Sequence, residues 1–260
     1  MKYILTVSFI FSIALFYSAE YGICISNFTT VHKTTDNASE QVTQLIFGDI
    51  YMIISKSKDK KWLLIENLFD GYQGWIPKEN HRSISERTYF EMKKDTFPVC
   101  ADLKGLVEFE GKKFEISLGS SLPYYKNGSI VIDGKKGIFT GNAVTIPREF
   151  NLDILLSTSK LCLDIPYLWG GKNAFGYDCS GFVQTVYKTL GIFLPRDSGQ
   201  QVKIGDEIKF ESAQIGDLAF FHENGKIVHV GIIIEGNKII HASKKVKINK
   251  LDSTGIWVDE

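Results

Sequence analysis

The chain has 260 residues with 30 basic and 30 acidic side chains, and therefore no net formal charge at pH 7. A balanced charge argues against a nucleic-acid partner and against an acidic tail. Hydrophobic residues make up 44% of the chain and aromatic residues 13%, which favours folded cores over disorder. The length allows one large domain or two to three small ones.

Residues 1–24 carry the pattern of a signal peptide. A short positive start precedes an apolar run over 4–16, which is shorter than the roughly 20 residues of a membrane span. The pattern predicts an exported protein, periplasmic or extracellular, with no stable membrane span beyond the leader; a buried first helix is the alternative. Lipid anchoring through Cys24 is disfavoured, because Ile23 stands where a small residue normally precedes a lipid-modified cysteine.

Two β-rich stretches follow the leader. Short apolar runs separated by turns occupy 25–82, and a less regular version of the pattern occupies 87–147. Glycine-rich turns at short intervals favour a small barrel in each stretch. Three tyrosines here are most simply packing residues, or alternatively wall one end of an active-site groove. They are Tyr72, Tyr124 and Tyr125.

Cys179 opens a predicted helix after a boundary near residue 147 and a first predicted helix over 150–162. Apolar residues over 182–190 recur at the spacing of one helical face, and Gly191 marks the end. A cysteine at a helix N-terminus feels the positive end of the helix dipole, which favours the nucleophilic thiolate. Taken alone, a free cysteine is more often a small buried hydrophobe.

Two histidines lie on predicted strands later in the chain. His229 belongs to a β-type run over 226–234, and His241 to a second run over 238–242. A nucleophile, a base and a polar group that orients the base form a catalytic triad. Cys179 followed by these two histidines therefore favours covalent catalysis over three unrelated packing residues.

The two histidines share a face only if the loop between their strands has an odd length. A two-residue turn would place the rings on opposite faces, because side chains alternate along a strand. A three-residue loop over 235–237 instead pairs Gly231 with His241 and leaves His229 diagonally adjacent on the same face. The triad therefore predicts such a loop, or a bulge, with Gly231 leaving room beside the rings.

Motifs in this part of the chain resemble those of NlpC-type cysteine peptidases, papain-like hydrolases of bacterial cell-wall peptides. They are Tyr167-Leu168-Trp169-Gly170-Gly171, Asp178-Cys179-Ser180-Gly181-Phe182, His229-Val230-Gly231-Ile232 and Ile240-His241-Ala242. The resemblance implies an α+β catalytic domain over 150–260, with a helix carrying the cysteine packed on an antiparallel sheet. It implies Cys179 as nucleophile, His229 as general base and His241 as the orienting residue. Tyr167 resembles a tyrosine beside the nucleophile that positions the substrate or the oxyanion.

The stretch over 25–82 resembles bacterial SH3-like barrels through a Gly-Asp turn, a Lys-Trp strand start and a closing Gly-Trp-Ile. The stretch over 87–147 is expected to form a second SH3-like barrel. Such barrels ahead of an NlpC-type domain are similar to γ-D-glutamyl-L-diamino acid endopeptidases. That resemblance implies peptidoglycan-derived stem peptides with a free N-terminal L-Ala as substrates. Asp178 and Ser180 are predicted to cap the helix, to bind the substrate, or both; for Asp178 the substrate group would be the free amine.

Two other functions stay open at the sequence level. One is a different cell-wall amidase or acyltransferase on the same fold, and the other is a catalytically inert peptidoglycan-binding protein. Phosphate-loop glycine patterns and metal-spaced Cys/His pairs do not occur in the sequence, so neither a cofactor nor a metal is predicted. Cys100 and Cys162 are expected either to pair in an oxidising compartment or to stay buried as thiols.

Overall fold

A computed structural model describes residues 19–147 and 149–257 of the chain. Its first unit, called here the first barrel, is a curled antiparallel sheet with the strand order β3-β2-β6-β5-β4-β1-β7. The strands are β1 (Glu20–Ile23), β2 (Phe28–His32), β3 (Gln41–Ile46), β4 (Ile50–Lys56), β5 (Trp62–Asn67), β6 (Gln73–Pro77) and β7 (Ser83–Ile84). A single 3-10 turn at Lys78–Asn80 precedes β7. The small core inside the curl includes Val31, Leu45, Ile65 and Ile76.

Strand β1 lies within the segment predicted to be the leader. It pairs with β4 and β7, and its residues Tyr21 and Ile23 are buried, as is Cys24 directly after it. The predicted leader end near residue 24 therefore overlaps the first strand of the barrel, because these side chains pack in its interior. The rest of the predicted leader, 1–18, lies outside the described residues. Within the described part of the chain, no helix is long and apolar enough to cross a membrane.

The second β unit begins with a helix that the sequence pattern did not predict. Helix α1 (Glu86–Lys94) starts because the Ser85 side chain accepts a hydrogen bond from the backbone N–H of Thr88 at 3.1 Å. Behind it, the strand order β10-β9-β12-β11 forms one antiparallel sheet, and β8 and β13 form a second pair. The strands are β8 (Val99–Cys100), β9 (Lys104–Phe109), β10 (Lys112–Ser117), β11 (Ser129–Ile132), β12 (Lys135–Thr140) and β13 (Ala143–Val144).

The catalytic domain has the predicted α+β architecture. Its sheet is antiparallel and runs in chain order from β16 to β20, and the buried helix α3 packs against β17 and β18. Helices α2 (Leu152–Leu161), α3 (Cys179–Lys188) and α4 (Ser198–Gln201) accompany β14 (Lys172–Asn173), β15 (Gly176–Tyr177), β16 (Leu218–Glu223), β17 (Lys226–Ile234), β18 (Lys238–Ser243), β19 (Lys245–Asp252) and β20 (Gly255–Trp257), with a 3-10 turn at Phe210–Ser212. Helix α3 begins at Cys179, as the sequence predicts.

Candidate active site

The loop between β17 and β18 has the predicted odd length. Strand pairing joins Ile232 to Ile240 and Ile234 to Lys238, which leaves residues 235–237 as the connection. Gly236 and Asn237 both have positive φ, at 71° and 52°, so the chain reverses without shifting this register. The same register places Gly231 opposite His241 on the neighbouring strand. The two histidines accordingly lie on one face of the sheet.

The two imidazole rings form a direct hydrogen bond. His229 Nε2 lies 2.7 Å from His241 Nδ1, and His241 Nε2 lies 3.0 Å from Asn249 Oδ1 on β19. A Cβ at position 231 would stand 2.8 Å from the Cβ of His241 and closer still to Ile239, so only glycine fits there. The prediction that Gly231 makes room beside the rings is confirmed.

The sulfur of Cys179 lies beside the strand that carries His229. The backbone N–H of Val230, the residue after His229, and the N–H of Ser180 both stabilise its anion. Burial and the adjacent Asp178 carboxylate nevertheless raise the pKa of the Cys179 thiol. The sequence argument from the helix dipole favoured a resting thiolate; in the structure the uncharged thiol is favoured, because burial and the Asp178 charge outweigh the stabilising backbone N–H groups.

The histidines are also uncharged in the resting site. Burial lowers the pKa of His229 to about 4, and the neighbouring His241 and Lys247 add to that shift. Burial and Lys247 likewise lower the pKa of His241, although its bond to Asn249 opposes them. At neutral pH the site therefore holds a thiol and two neutral rings, so a proton must leave Cys179 before or during attack on a carbonyl.

Tyr167 lies within electrostatic reach of Cys179, the predicted nucleophile. Burial raises the pKa of Tyr167 to about 12, and the charges of Cys179 and Asp178 contribute to that rise. The phenol is therefore protonated at neutral pH and can donate a hydrogen bond to a developing oxyanion. This position agrees with the role that the family resemblance implied.

Asp178 is held by several donors around the start of α3. Its Oδ1 accepts from Gly181 N at 2.7 Å, and its Oδ2 accepts from Gly170 N at 2.8 Å. The buried Arg196 completes a two-pronged contact, at 3.0 Å to Oδ1 and 2.5 Å to Oδ2, and also donates to Ser180 Oγ at 3.0 Å. The predicted capping role of Asp178 is thus seen directly, while substrate binding by Asp178 and Ser180 stays a prediction.

The first barrel reaches the edge of this site. Glu40 accepts a hydrogen bond from Trp169 Nε1 at 2.9 Å, and Gln41 Nε2 donates to the backbone carbonyl of Trp169 at 2.8 Å. Burial raises the pKa of Tyr72 to about 12, with smaller effects from Asp197 nearby. Glu40 and Tyr72 therefore place a carboxylate and a phenol from the barrel beside the catalytic domain.

The other two candidate tyrosines lie in the second β unit and pack against its own aromatic residues. The ring of Tyr124 is 5.0 Å from that of Phe97, and the ring of Tyr125 is 6.0 Å from that of Phe139. The packing interpretation fits these two residues. Cys100 and Cys162, the other pair left open by the sequence, are both buried free thiols.

Three residues of the site escaped the sequence analysis. Arg196 is buried at 1% exposure although its local sequence has no pattern that predicts burial. Asn249 was within reach of prediction, because a strand over 245–252 paired with β18 would place it diagonally from His241. Glu40 comes from another domain, and no periodicity predicts that contact. Among the described residues, no cluster of histidine, cysteine and acidic side chains could hold a metal ion.

A cysteine at the start of a buried helix, beside a hydrogen-bonded histidine pair on an antiparallel sheet, defines a papain-like site, and the chain belongs to the NlpC/P60 family. The model of that family matches residues 164–259, and one described as the bacterial dipeptidyl-peptidase SH3 domain matches 31–80. The second match supports the SH3-like assignment of the first barrel.

Two similar relatives span most of the chain. The γ-D-glutamyl-L-lysine dipeptidyl-peptidase of Bacillus cereus is 32% identical over 249 residues, covering 86% of this chain and 74% of the relative. The enzyme of the same name from Bacillus subtilis is 28% identical over 248 residues, covering 89% of this chain and 78% of the relative. A solved NlpC/P60 family structure from Bacillus cereus has a TM-score of 0.75 at 22% identity, over 90% of this chain and 95% of that one, and so shares the fold.

Proposed function

We propose that this protein is a cysteine endopeptidase that hydrolyses the γ-D-glutamyl–diamino acid bond of peptidoglycan stem peptides with a free N-terminal L-Ala. The observation that carries the proposal is the hydrogen-bonded His229–His241 pair, together with the contact of Cys179 Sγ with the backbone of Val230, the residue after His229. The names of the two relatives support the substrate class. Export from the cell remains a prediction from the leader.

The proposed reaction begins with transfer of the Cys179 proton to His229. The resulting thiolate attacks the γ-glutamyl carbonyl, and the oxyanion is stabilised by the first backbone N–H groups of α3 and by the Tyr167 phenol. His229 then gives its proton to the leaving amine of the diamino acid. Water attacks the thioester, releases the γ-D-glutamyl acid and restores the thiol. His241 orients the His229 ring and stabilises its protonated form.

In addition to Asp178, for which binding of the free amine stays a prediction, the acidic edge of the first barrel is proposed to attract that amine. The side chain of Glu40 is 38% exposed and is fixed by Trp169, which is itself 58% exposed. The carboxylate also pairs with the exposed Lys33 at 2.8 Å, so an ammonium group arriving there would share or displace that lysine and would gain the aromatic face of Trp169 as well. A stem peptide still attached to the glycan has an amide instead of that amine and would gain no ion pair there, so Glu40 would keep its contact with Lys33.

Digestion of defined peptides tests this function. The substrates are L-Ala-γ-D-Glu-L-Lys, its meso-diaminopimelate counterpart and an N-acetylated copy of each, followed by mass analysis. We expect release of the dipeptide L-Ala-γ-D-Glu from the free peptides and little from the acetylated ones. The Cys179→Ala variant should bind the peptide and release nothing, while Cys162→Ala, which changes a buried thiol elsewhere, should keep turnover.

The same assay separates the alternative functions. An amidase would cut the bond between sugar and L-Ala in a muropeptide, and an acyltransferase would give a new amide when an acceptor amine is added. An inert binding protein would retain peptide without any product. Turnover by Cys179→Ala, or a product other than the dipeptide, would contradict the proposed reaction.

A further inference from the structure

The hairpin formed by β19 and β20 places the side-chain amide of Asn249 next to His241 and the backbone carbonyl of Trp257 next to that amide. Asn249 Nδ2 donates to the backbone carbonyl of Trp257 at 2.9 Å, while Asn249 Oδ1 lies 3.0 Å from His241 Nε2. The reaction proposed above does not use this contact. Asn249 and Trp257 thus extend the line of hydrogen bonds that begins at His229.

Every bond in this line has a fixed direction. A backbone carbonyl can only accept, so the NH2 group of Asn249 must face Trp257 and its oxygen must face His241. The amide oxygen also can only accept, so His241 carries its proton on Nε2. His241 Nδ1 is then the acceptor, and the proton between the rings belongs to His229 Nε2.

The direction decides which nitrogen of His229 is free to act. With its proton on Nε2, a neutral His229 has an unprotonated Nδ1, and this is the atom that can take the proton of Cys179. In the opposite direction, His241 would donate from Nδ1 and the His229 proton would sit on Nδ1. That ring could not accept a proton from the thiol without first changing tautomer.

The hairpin holds the Trp257 carbonyl in place through Asp252. One oxygen of Asp252 accepts from Trp257 Nε1 at 2.6 Å, and the other accepts from the backbone N–H groups of Thr254, at 2.7 Å, and Gly255, at 3.2 Å. These bonds fix the turn and the indole together. The acceptor that sets the direction is therefore part of an ordered turn.

The surroundings of the pair keep both rings neutral, so the tautomer matters at neutral pH. The Phe221 ring of β16 packs on His229 with centroids 5.8 Å apart, and Lys247 on β19 stands opposite His241 in the strand register. Besides the rings themselves, Lys247 is the charge that acts on both pKa values, and it lowers them. Cys179 of α3 contacts the same strand at the backbone N–H of Val230, the residue after His229.

We infer that Asn249, oriented by the Trp257 carbonyl, is a positioning residue that sets the tautomer of both histidines and leaves His229 Nδ1 free to act as the general base. The inference deepens the proposed function and rests on it for the catalytic consequence only. The tautomers themselves are a property of the folded protein and can be observed without substrate.

The test measures the ring tautomers by 15N–1H correlation of the histidine side chains at pH 8 in full-length protein. Spectra are recorded in the Cys179→Ala background, so that no thiolate–imidazolium pair forms, and kinetics are recorded with Cys179 present. In the Cys179→Ala protein with Asn249 unchanged, both rings should carry their proton on Nε2. Asn249→Leu, which cannot accept, should give mixed tautomers.

Kinetics of the same substitutions distinguish positioning from packing. Asn249→Leu should lower kcat by about 10- to 100-fold with KM nearly unchanged, because only the protonation pattern is lost. Asn249→Asp keeps an acceptor for His241, so it should retain the Nε2–H tautomer, recover most of kcat and move the acid limb of the pH profile upward. Lys250→Leu, on the same strand but exposed, is the matched control and should change neither measurement.

Two outcomes overturn the inference: a His229 protonated on Nδ1 in the Cys179→Ala protein with Asn249 unchanged, or unchanged tautomers in Asn249→Leu. If Asn249→Leu does not fold, Asn249→Asp decides, since loss of the Nε2–H tautomer there would equally contradict the assignment. Expected tautomers in a protein that cleaves no stem peptide would instead refute the proposed function and leave the tautomer assignment standing.

Discussion

The first barrel meets its two neighbours in different ways. Against the catalytic domain it presents buried polar groups: Asp49 contacts Lys172 and Lys188, each at 3.1 Å, and Thr43 accepts from Arg196 Nε at 2.8 Å. Against the second β unit it shares an apolar core that includes Phe47, whose ring is 5.9 Å from that of Phe114. The first interface is built around buried ion pairs. The second is built around apolar packing, although it also contains polar contacts such as the hydrogen bond from Ser117 Oγ to Asn27 Oδ1 at 3.1 Å.

The two kinds of interface differ in how strictly they fix the orientation of the parts they join. Apolar burial stabilises an assembly without fixing orientation to a fraction of an ångström, since it depends mainly on area. A buried guanidinium or ammonium tolerates little displacement, because losing its partner leaves an uncompensated charge. The polar interface is the one that contacts the first turn of α3, through Arg196 and Asp178. We therefore expect damage there to alter catalysis, and damage at the apolar interface to alter stability alone.

The largest effect is expected from Arg196→Met, because it leaves the Asp178 carboxylate buried without its cation. The free energy of unfolding should fall by about 3–5 kcal/mol, and kcat should fall in the protein that stays folded. Arg196→Lys keeps the positive charge but loses the two-pronged contact. Its stability and its kcat should therefore lie between those of the unsubstituted protein and those of Arg196→Met. Urea unfolding and steady-state kinetics measure both quantities. Normal kcat in Arg196→Met would mean that the polar interface does not orient the site.

Asp49→Asn should rank second, because it leaves two buried lysines without their anion. A loss of about 3 kcal/mol is expected at pH 7. Burial lowers the pKa of Lys188 even in the intact cluster, so the loss should shrink toward pH 10, where Lys188 can release its proton on folding. Unfolding curves at the two pH values check the sign. Asp164→Asn, which removes an exposed ion pair with Lys245, is the control and should change stability little.

Phe47→Leu examines the apolar interface. Loss of ring volume in a fully buried position should lower the free energy of unfolding by about 1–2 kcal/mol. The kinetic constants of the folded protein should stay unchanged, since no directional contact to α3 is lost. A fall in kcat comparable to that of Arg196→Lys would erase the distinction between the two interfaces.

Glu40→Gln examines the polar edge of the first barrel at which the proposed function places the free amine of the substrate. The amide keeps the acceptor for Trp169 but removes the charge, so kcat/KM for the free-amine peptide should fall about three- to tenfold, mainly through KM. Glu66→Gln, a barrel carboxylate bonded to Gln73, serves as the control. Equal loss in both variants would point to a general effect of barrel charge.

Lys247→Gln should have the smallest effect, a shift of the pH profile. Lys247 lowers the pKa of His229, which is about 4, and a base must be unprotonated to act. The acid limb of kcat/KM should therefore lie well below the ordinary histidine range and move upward in this variant. Lys250→Gln should leave the limb in place. Movement to lower pH in Lys247→Gln would reverse the assigned sign.

The geometry of the candidate site was predictable where the signal is local. Cys179 begins a helix in a recognisable motif, and strand alternation alone required the three-residue loop that aligns Gly231 with His241. Arg196 was not predictable, because its burial depends on Thr43, which is 153 positions away in the chain. Helix α1 depends on one capping contact of Ser85. The predicted leader end near residue 24 overlaps β1, and composition alone does not separate the two, because apolar residues continue from the leader pattern into the strand.

The Lys172–Asp49–Lys188 cluster has a consequence for recombining the parts of this protein. The two lysines belong to the catalytic domain and the aspartate belongs to the barrel. Each domain alone therefore lacks the ion-pair partner of its buried charge. A chimera that exchanges the barrel for one without an acid at this position would confront two desolvated cations. A replacement barrel should therefore give a stable protein only when it has an acidic residue at the position of Asp49. The presence of that residue can be used to choose barrels for domain exchange.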